Sequence, residues 1–124
     1  MCGIIGIQNN SEAATLAYMG LYAQQHRGQE GAGVVSSDGT VLHRHMGQGL
    51  VSDVFSDSAV FDSLIGDSAI GHVRYSTTGN SDPKNVGPLT FNMGDYSLSI
   101  AHNGNLVNLD GIRKELQENG ALFQ

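Results

Sequence analysis

The chain begins with an apolar segment that constrains its fold more than any other part of the sequence. Residues 3–8, GIIGIQ, are rich in Ile and lack polar alternation, which predicts a buried β-strand. The only cysteine of the chain, Cys2, directly precedes this strand. Chain ends are usually frayed. A thiol at this position is therefore incidental, held by the strand, or placed for the α-amino group that only a terminus offers.

The rest of the sequence predicts an α+β arrangement, with strands dominant in the middle and helices flanking them. Strands are predicted at residues 3–8, 32–36, 40–45, 69–76, 89–93 and 96–102. Helices are predicted at about 10–25, in one or two short pieces within 50–65, and at 108–119, where Asn108 is the expected N-cap. The polar stretch 77–87 is the longest predicted loop, and residues 74–87 are expected to act as a lid over a bound ligand.

Composition excludes several classes of protein. The 124 residues suffice for one domain, and six basic against twelve acidic side chains, without a basic cluster, argue against a nucleic-acid partner. Neither a long apolar run nor a signal peptide is present, so no membrane association is expected. A single cysteine fits a reducing compartment, and a cytoplasmic location is predicted. His43 and His45 share a strand face but lack a third ligand nearby, so a solvated face is favoured over a metal site.

Three short glycine-containing motifs stand out from the predicted turns. Arg27 lies in QHRGQEGAG before a strand, Arg74 lies in GHVRYSTTG where a strand ends, and Asn103 precedes Gly104 in AHNGNL. Each motif alone is compatible with an ordinary turn at a strand end. Together with Cys2, they predict a shared site.

These residue types suit amide hydrolysis. Once Met1 is removed, Cys2 carries a thiol and a free α-amine whose unperturbed pKa is about 7.7–8.0, so the amine can act as a tethered base. An Asn amide and a neighbouring Gly N–H can stabilise an oxyanion. An Arg guanidinium binds a carboxylate through two parallel hydrogen bonds. The set predicts a hydrolase for an amino-acid amide such as glutamine.

The segments MCGIIGI, HRGQEGAG, GHVRYSTTG and AHNGNL resemble the glutaminase domain of the class II glutamine amidotransferases, which are N-terminal-nucleophile hydrolases. The resemblance covers residues 1–124 and implies a four-layer αββα sandwich, incomplete in this chain. The QHRGQEGAG form is most similar to the members that make phosphoribosylamine from glutamine and phosphoribosyl pyrophosphate, the first step of de novo purine synthesis. The alternatives are another class II amidotransferase, such as a glucosamine-phosphate-forming enzyme, or an inactive fragment that acts only as an interaction module.

The resemblance assigns a role to each matching residue. Cys2 corresponds to the nucleophile, and Asn103 and Gly104 correspond to the oxyanion hole. Arg74 corresponds to the group that grips the glutamine α-carboxylate, with Thr77 nearby on the loop that closes over the substrate.

Arg27 corresponds to a residue that braces the strand of the nucleophile, although a satisfied buried cation is an equally good interpretation. Family members continue past Gln124 into a Ser-Asp segment that binds the substrate ammonium, so this chain alone is expected to be weakly active or inactive. The expected partners are L-glutamine, a phosphoribosyltransferase domain absent from this chain, and further copies in a homo-oligomer. No metal or other cofactor is expected in this chain, and magnesium is expected with phosphoribosyl pyrophosphate only in the absent domain.

Overall fold

The structure, a computed structural model, describes residues 1–75, 83–104 and 107–121 and confirms the predicted α+β class. The strands are β1 (Gly3–Ile7), β2 (Gly31–Ser37), β3 (Leu42–Gln48), β4 (Ser68–Arg74), β5 (Leu89–Met93) and β6 (Tyr96–Ile100). The α-helices are α1 (Ala13–Ala23), α2 (Val51–Val54), α3 (Val60–Ser63) and α4 (Leu109–Glu118). Two 3₁₀ turns cover Gln25–Arg27 and Pro83–Asn85.

The first four strands form one antiparallel sheet in the order β1-β4-β2-β3. The register pairs Gly3 with Val73 and Gly31 with Arg74. The start of β1, the start of β2 and the end of β4 therefore meet at one end of the sheet. This end brings the QHRGQEGAG motif and residues 71–75 of the GHVRYSTTG motif next to the beginning of the chain.

Helix α1 covers one face of this sheet and forms the core with it. Ala13, Ala17 and Leu21 of α1 are fully buried, as is Val34 on β2. Gly20 allows close approach, because a Cβ at this position would overlap the Ile5 side chain of β1. The burial of α1 explains why this helix forms despite having no side-chain cap: tertiary packing rather than its ends stabilises it.

The opposite face of the sheet is covered only in part by the described residues. Val86 and Pro88 are buried over the region of Gly33 and His72. Beside them, a groove of about 420 Å³ separates Ile4 and Ile70 of this face from Ser99, Ile100 and Ala101, at the end of β6. The β5–β6 hairpin thus approaches the sheet on the side away from α1.

The hairpin and α4 each present an exposed apolar face. In the hairpin register, Leu89, Phe91 and Met93 lie opposite Ile100, Leu98 and Tyr96, and all six are at least 42% exposed. The apolar stripe of α4 is similarly exposed at Leu109, Ile112 and Leu116. No residue of α4 is buried. These faces are typical of elements that pack against further structure.

Several element boundaries differ from those predicted. Strand β3 begins at Leu42 rather than at residue 40, because the Thr40 and Val41 N–H groups donate to Asp38 Oδ1 instead of to the sheet. Helix α1 begins at Ala13, after the Asn10 side chain has accepted a hydrogen bond from the Glu12 N–H.

Asn108 precedes α4 as predicted, but the expected side-chain cap is wrong: its φ of 60° is left-handed and its side chain makes no capping bond. Strand β6 ends at Ile100 rather than at residue 102, and β4 ends at Arg74, with Ser76 outside the described residues. The predicted loop at 77–87 contains the Pro83–Asn85 turn, and its residues 77–82 lie outside the described residues.

Candidate active site

The start of the chain is held by hydrogen bonds from the turn that follows α1. Arg27 Nε donates to the Cys2 carbonyl oxygen at 3.1 Å. Gln24 Nε2 donates to the Ile4 carbonyl oxygen at 3.3 Å. Together with the pairing of Gly3 and Val73, these contacts fix the main chain from Cys2 to Ile4. The Cys2 thiol is half-buried, and its Sγ lies 3.8 Å from the Tyr75 carbonyl oxygen.

The turn that carries Arg27 is itself fixed to the rest of the domain. The Arg27 N–H donates to the Gln24 carbonyl oxygen at 2.8 Å. The Gln25 side chain donates from Nε2 to the Gly28 carbonyl oxygen and accepts at Oε1 from the Val51 N–H, at 2.7 Å. Arg27 is half-buried rather than fully enclosed. Its guanidinium therefore contacts the Cys2 carbonyl oxygen from a turn that is itself held by hydrogen bonds.

The same turn packs directly on the backbone of Arg74. A Cβ at Gly28 would lie 2.6 Å from both the carbonyl carbon and the carbonyl oxygen of Arg74, so a larger residue could not be accommodated there. Two residues later, the Glu30 N–H donates to the Arg74 carbonyl oxygen at 3.2 Å. The QHRGQEGAG motif thus supports both Cys2 and Arg74, which explains its glycine at position 28.

The Arg74 side chain contacts two acceptors. Its Nη1 donates to the Asn85 carbonyl oxygen at 2.7 Å, and its Nε lies 3.8 Å from Glu30 Oε2. The side chain is 16% exposed. A guanidinium carries five N–H donors, so these contacts leave donors for a ligand carboxylate.

Asn103 and Gly104 follow β6 and are both exposed. The residue before them, His102, lies close enough to His72 of β4 to influence its pKa, so their turn adjoins the same end of the molecule. Among the described residues, no hydrogen bond joins Cys2 to Asn103 or Gly104. Thr77 lies outside the described residues. The structure therefore brings together Cys2, Arg27 and Arg74, and leaves the contact of the Asn103–Gly104 pair with them as a prediction.

His72 is a buried residue of this region for which the sequence predicted no role. It is 5% exposed, and neither ring nitrogen makes a hydrogen bond within the described ranges. Burial is the largest influence and lowers its pKa below the ordinary value of 6.5. The main chain of His102 raises the pKa, and the charges of Arg74 and His102 lower it by smaller amounts. The His72 ring is thus neutral at pH 7. In the sequence, only its position two residues before Arg74 indicated that His72 lies near the candidate site.

His43 and His45 have separate partners on β3. His43 Nε2 lies 3.0 Å from Asp38 Oδ2, and His45 Nε2 lies 2.8 Å from the Val54 carbonyl oxygen. The pKa of Asp38 falls to about 2, chiefly through the Val41 N–H and then through His43. In the described ranges, no three His, Cys, Asp or Glu side chains are grouped as a metal site requires.

The described helices include none that is long and apolar enough to cross a lipid bilayer.

Comparison with known proteins identifies relatives along the whole chain. An amidophosphoribosyltransferase of Lacticaseibacillus casei is 46% identical over 123 residues, which cover 99% of this chain and 63% of the relative. The solved structure of the allosteric regulatory enzyme of purine biosynthesis matches with a TM-score of 0.90 and 45% identity. The glutamine phosphoribosylpyrophosphate amidotransferase of B. subtilis, solved with ADP and GMP, matches with a TM-score of 0.88 and 44% identity. No family model matches the chain.

Both structural matches cover 100% of this chain but only 26% of the solved chains. The chain therefore spans about a quarter of the length of these solved relatives. The TM-scores of 0.90 and 0.88, at 45% and 44% identity, show that the chain has the N-terminal-nucleophile hydrolase fold. It forms part of such a domain. The predicted fold class is confirmed.

Proposed function

Because the chain belongs to the amidophosphoribosyltransferase family, whose N-terminal glutaminase part it matches, we propose that it hydrolyses the side-chain amide of L-glutamine. The ammonia released would be used to form phosphoribosylamine from phosphoribosyl pyrophosphate, at the start of purine synthesis. The main structural support for this proposal is the set of contacts that hold the start of the chain in place. Arg27 and Gln24 hold the main chain at Cys2 and Ile4, and the Gly3–Val73 pair places it beside the Arg74 end of β4.

The chemistry begins with removal of Met1, which converts the amide nitrogen of Cys2 into a free amine. This amine accepts the thiol proton, and the thiolate attacks the amide carbonyl carbon of glutamine. The Asn103 side-chain amide and the Gly104 N–H stabilise the negative oxygen that forms. The protonated amine then gives its proton to the leaving nitrogen, so that ammonia departs and a thioester remains on Cys2. Water hydrolyses the thioester to release glutamate and restore the thiol.

Substrate binding rests on Arg74. Its remaining N–H donors bind the α-carboxylate of glutamine, and a planar guanidinium suits this ligand because two parallel hydrogen bonds can form. Thr77 contributes from the loop that follows. A carboxylate beyond residue 124 would bind the substrate ammonium, which is why the complete glutaminase domain is needed for full activity.

The proposal also covers the cofactors, the protein partners and the location of the reaction. The hydrolysis uses no cofactor from this chain, whereas magnesium would bind with phosphoribosyl pyrophosphate in a phosphoribosyltransferase domain. That domain and further copies in a homo-oligomer are the proposed protein partners, and the cytoplasm is the proposed location. Arg27 is proposed to support the nucleophile through its contact with the Cys2 carbonyl rather than to take part in the chemistry.

The proposal is tested by substituting Cys2 in the protein that carries these residues. Cys2→Ala is expected to abolish glutamine hydrolysis, because no other group supplies both a nucleophile and a tethered amine. Cys2→Ser keeps the amine and nearly the same volume, and is expected to be severely impaired because a hydroxyl ionises far less readily than a thiol. Thermal unfolding of each variant is the control for folding. Hydrolysis that persists in a folded Cys2→Ala protein would contradict the proposal.

A further inference from the structure

Glu30 and Arg74 are brought together by the backbone before their side chains interact. The sheet register pairs Gly31 with Arg74, and the Glu30 N–H donates to the Arg74 carbonyl oxygen at 3.2 Å. The Glu30 carbonyl oxygen in turn accepts from the Gly49 N–H at 3.0 Å. The Glu30 main chain is therefore bound to β4 through its N–H and to the residue after β3 through its carbonyl oxygen.

The two side chains face each other at a point closed to solvent. Glu30 Oε2 lies 3.8 Å from Arg74 Nε, and both atoms are shielded from water. This distance is too long for a hydrogen bond, so the contact is an attraction between charges. Such an attraction is stronger where water is excluded than it is on an exposed surface.

A second acceptor contacts a different nitrogen of the same guanidinium. Asn85 accepts from Arg74 Nη1 at 2.7 Å through its carbonyl oxygen. Glu30 attracts the Nε side of the guanidinium, while the Asn85 carbonyl accepts a hydrogen bond from Nη1. Together, the two contacts favour one orientation of the guanidinium plane before any ligand binds.

We propose that Glu30 is a positioning residue, which orients the Arg74 guanidinium to receive the α-carboxylate of the amino-acid substrate. The inference rests on the proposed function, because it assumes that Arg74 binds this carboxylate. A carboxylate near an arginine can also compete with an anionic ligand. The geometry favours positioning, because Glu30 faces Nε from beyond hydrogen-bond distance and leaves hydrogens on the terminal nitrogens for the substrate.

The test is Glu30→Gln, which removes the charge and keeps the shape of the side chain. Its matched control is Glu12→Gln, the same change at an exposed residue before α1. For glutamine hydrolysis by the complete protein, Glu30→Gln is expected to raise KM about tenfold, with kcat changed less than twofold. Glu12→Gln is expected to leave both parameters at the wild-type value.

A substrate without the α-carboxylate separates positioning from general damage. With the α-amide of glutamine in place of glutamine, Glu30→Gln and the wild type are expected to have the same kcat/KM. An equal loss on both substrates would show that Glu30 acts on the fold rather than through Arg74. An unchanged or lowered KM for glutamine would also overturn the proposal, since a lowered value would mean that Glu30 competes with the substrate.

Glu30→Asp keeps the proposal testable if the Gln variant does not fold. The shorter side chain keeps the charge but moves it away from Nε, so a smaller rise in KM is expected for glutamine and none for the α-amide. Equal effects on both substrates, or no effect on either, would contradict the proposal. If the wild type itself did not hydrolyse glutamine, the proposed function would fail instead, which distinguishes the two.

Discussion

The two parts of the chain on either side of the undescribed residues 76–82 differ in how they are packed. In residues 1–75, a four-stranded sheet and α1 enclose a core in which Ala13, Leu21 and Val34 are buried. In residues 89–121, the hairpin and α4 expose their apolar faces, and no residue of α4 is buried. The first part is stabilised by its own contacts, whereas the second exposes apolar faces of the kind that usually pack against further structure.

The candidate site is divided between these two parts. On the packed part, the Arg27 side chain contacts the Cys2 carbonyl oxygen, and Glu30 contacts Arg74 through both main chain and side chain. Asn103 and Gly104 follow the hairpin, whose apolar face is exposed. The proposed nucleophile and the proposed carboxylate-binding arginine are therefore held by contacts within the packed part. The proposed oxyanion donors belong to the second part.

The largest expected difference in stability is between two matched substitutions of leucine by alanine, one in each part. Leu21→Ala in α1 is expected to lower the free energy of unfolding of the 124-residue chain by about 2–5 kcal/mol, because it opens a cavity in a fully buried core. Leu116→Ala in α4 removes the same atoms from a side chain that is 44% exposed, and a loss below about 1 kcal/mol is expected. Urea unfolding of both variants measures the difference.

Equal losses of stability at Leu21 and Leu116 would contradict the difference in packing between the two parts. A large loss at Leu116 would mean that α4 is packed as tightly as α1. In a longer protein that covers the α4 stripe, the cost at Leu116 is expected to rise toward that at Leu21. The cost at Leu21 should stay the same.

The packed part was also the easier one to predict from the sequence. Strand β1 and helix α1 were predicted to within about three residues, because an apolar run and a helical spacing are local signals. The order β1-β4-β2-β3 was not predicted, because strand pairing depends on contacts between residues far apart in the chain. Asn108 shows that prediction from the sequence is also limited for a single residue. Asn is a favourable capping residue, but it does not determine its own backbone conformation, which is left-handed here.

Site residues could be identified from motifs, but their contacts could not. The motif containing Arg27 indicated a bracing role, and the structure supplies a contact with the Cys2 carbonyl that fits this role. Glu30 lies in the same motif, yet its side-chain partner Arg74 is on another strand. Only the pairing of Gly31 with Arg74 makes them neighbours, and this register has no local signature.

A smaller effect is expected from pH, through His72 at the boundary between the two parts. Its pKa is lowered in the folded state, chiefly by burial and then by the charges of Arg74 and His102, so it stays neutral where the unfolded chain takes up a proton. Stability should therefore fall as the pH drops below 6.5. One proton limits the slope to about 1.4 kcal/mol per pH unit.

His72→Gln removes this titration and leaves the other histidines as an internal control. Urea unfolding between pH 7.5 and 5 is expected to show a shallower pH dependence for the variant than for the wild type. Parallel profiles would show that His72 is protonated equally in the folded and unfolded states. That result would place His72 in contact with water rather than under the Val86–Pro88 segment.

The proposed function requires that the start of the chain presents a cysteine with a free α-amine beside Arg74. Intact-mass analysis of the protein, followed by peptide mapping after reaction with a glutamine-mimicking electrophile, tests this arrangement. Met1 is expected to be absent, one adduct is expected to form on Cys2, and excess glutamine is expected to slow its formation. Retention of Met1, or an adduct on Cys2 whose rate is unaffected by glutamine, would show that Cys2 is not a nucleophile with a free amine in a glutamine site.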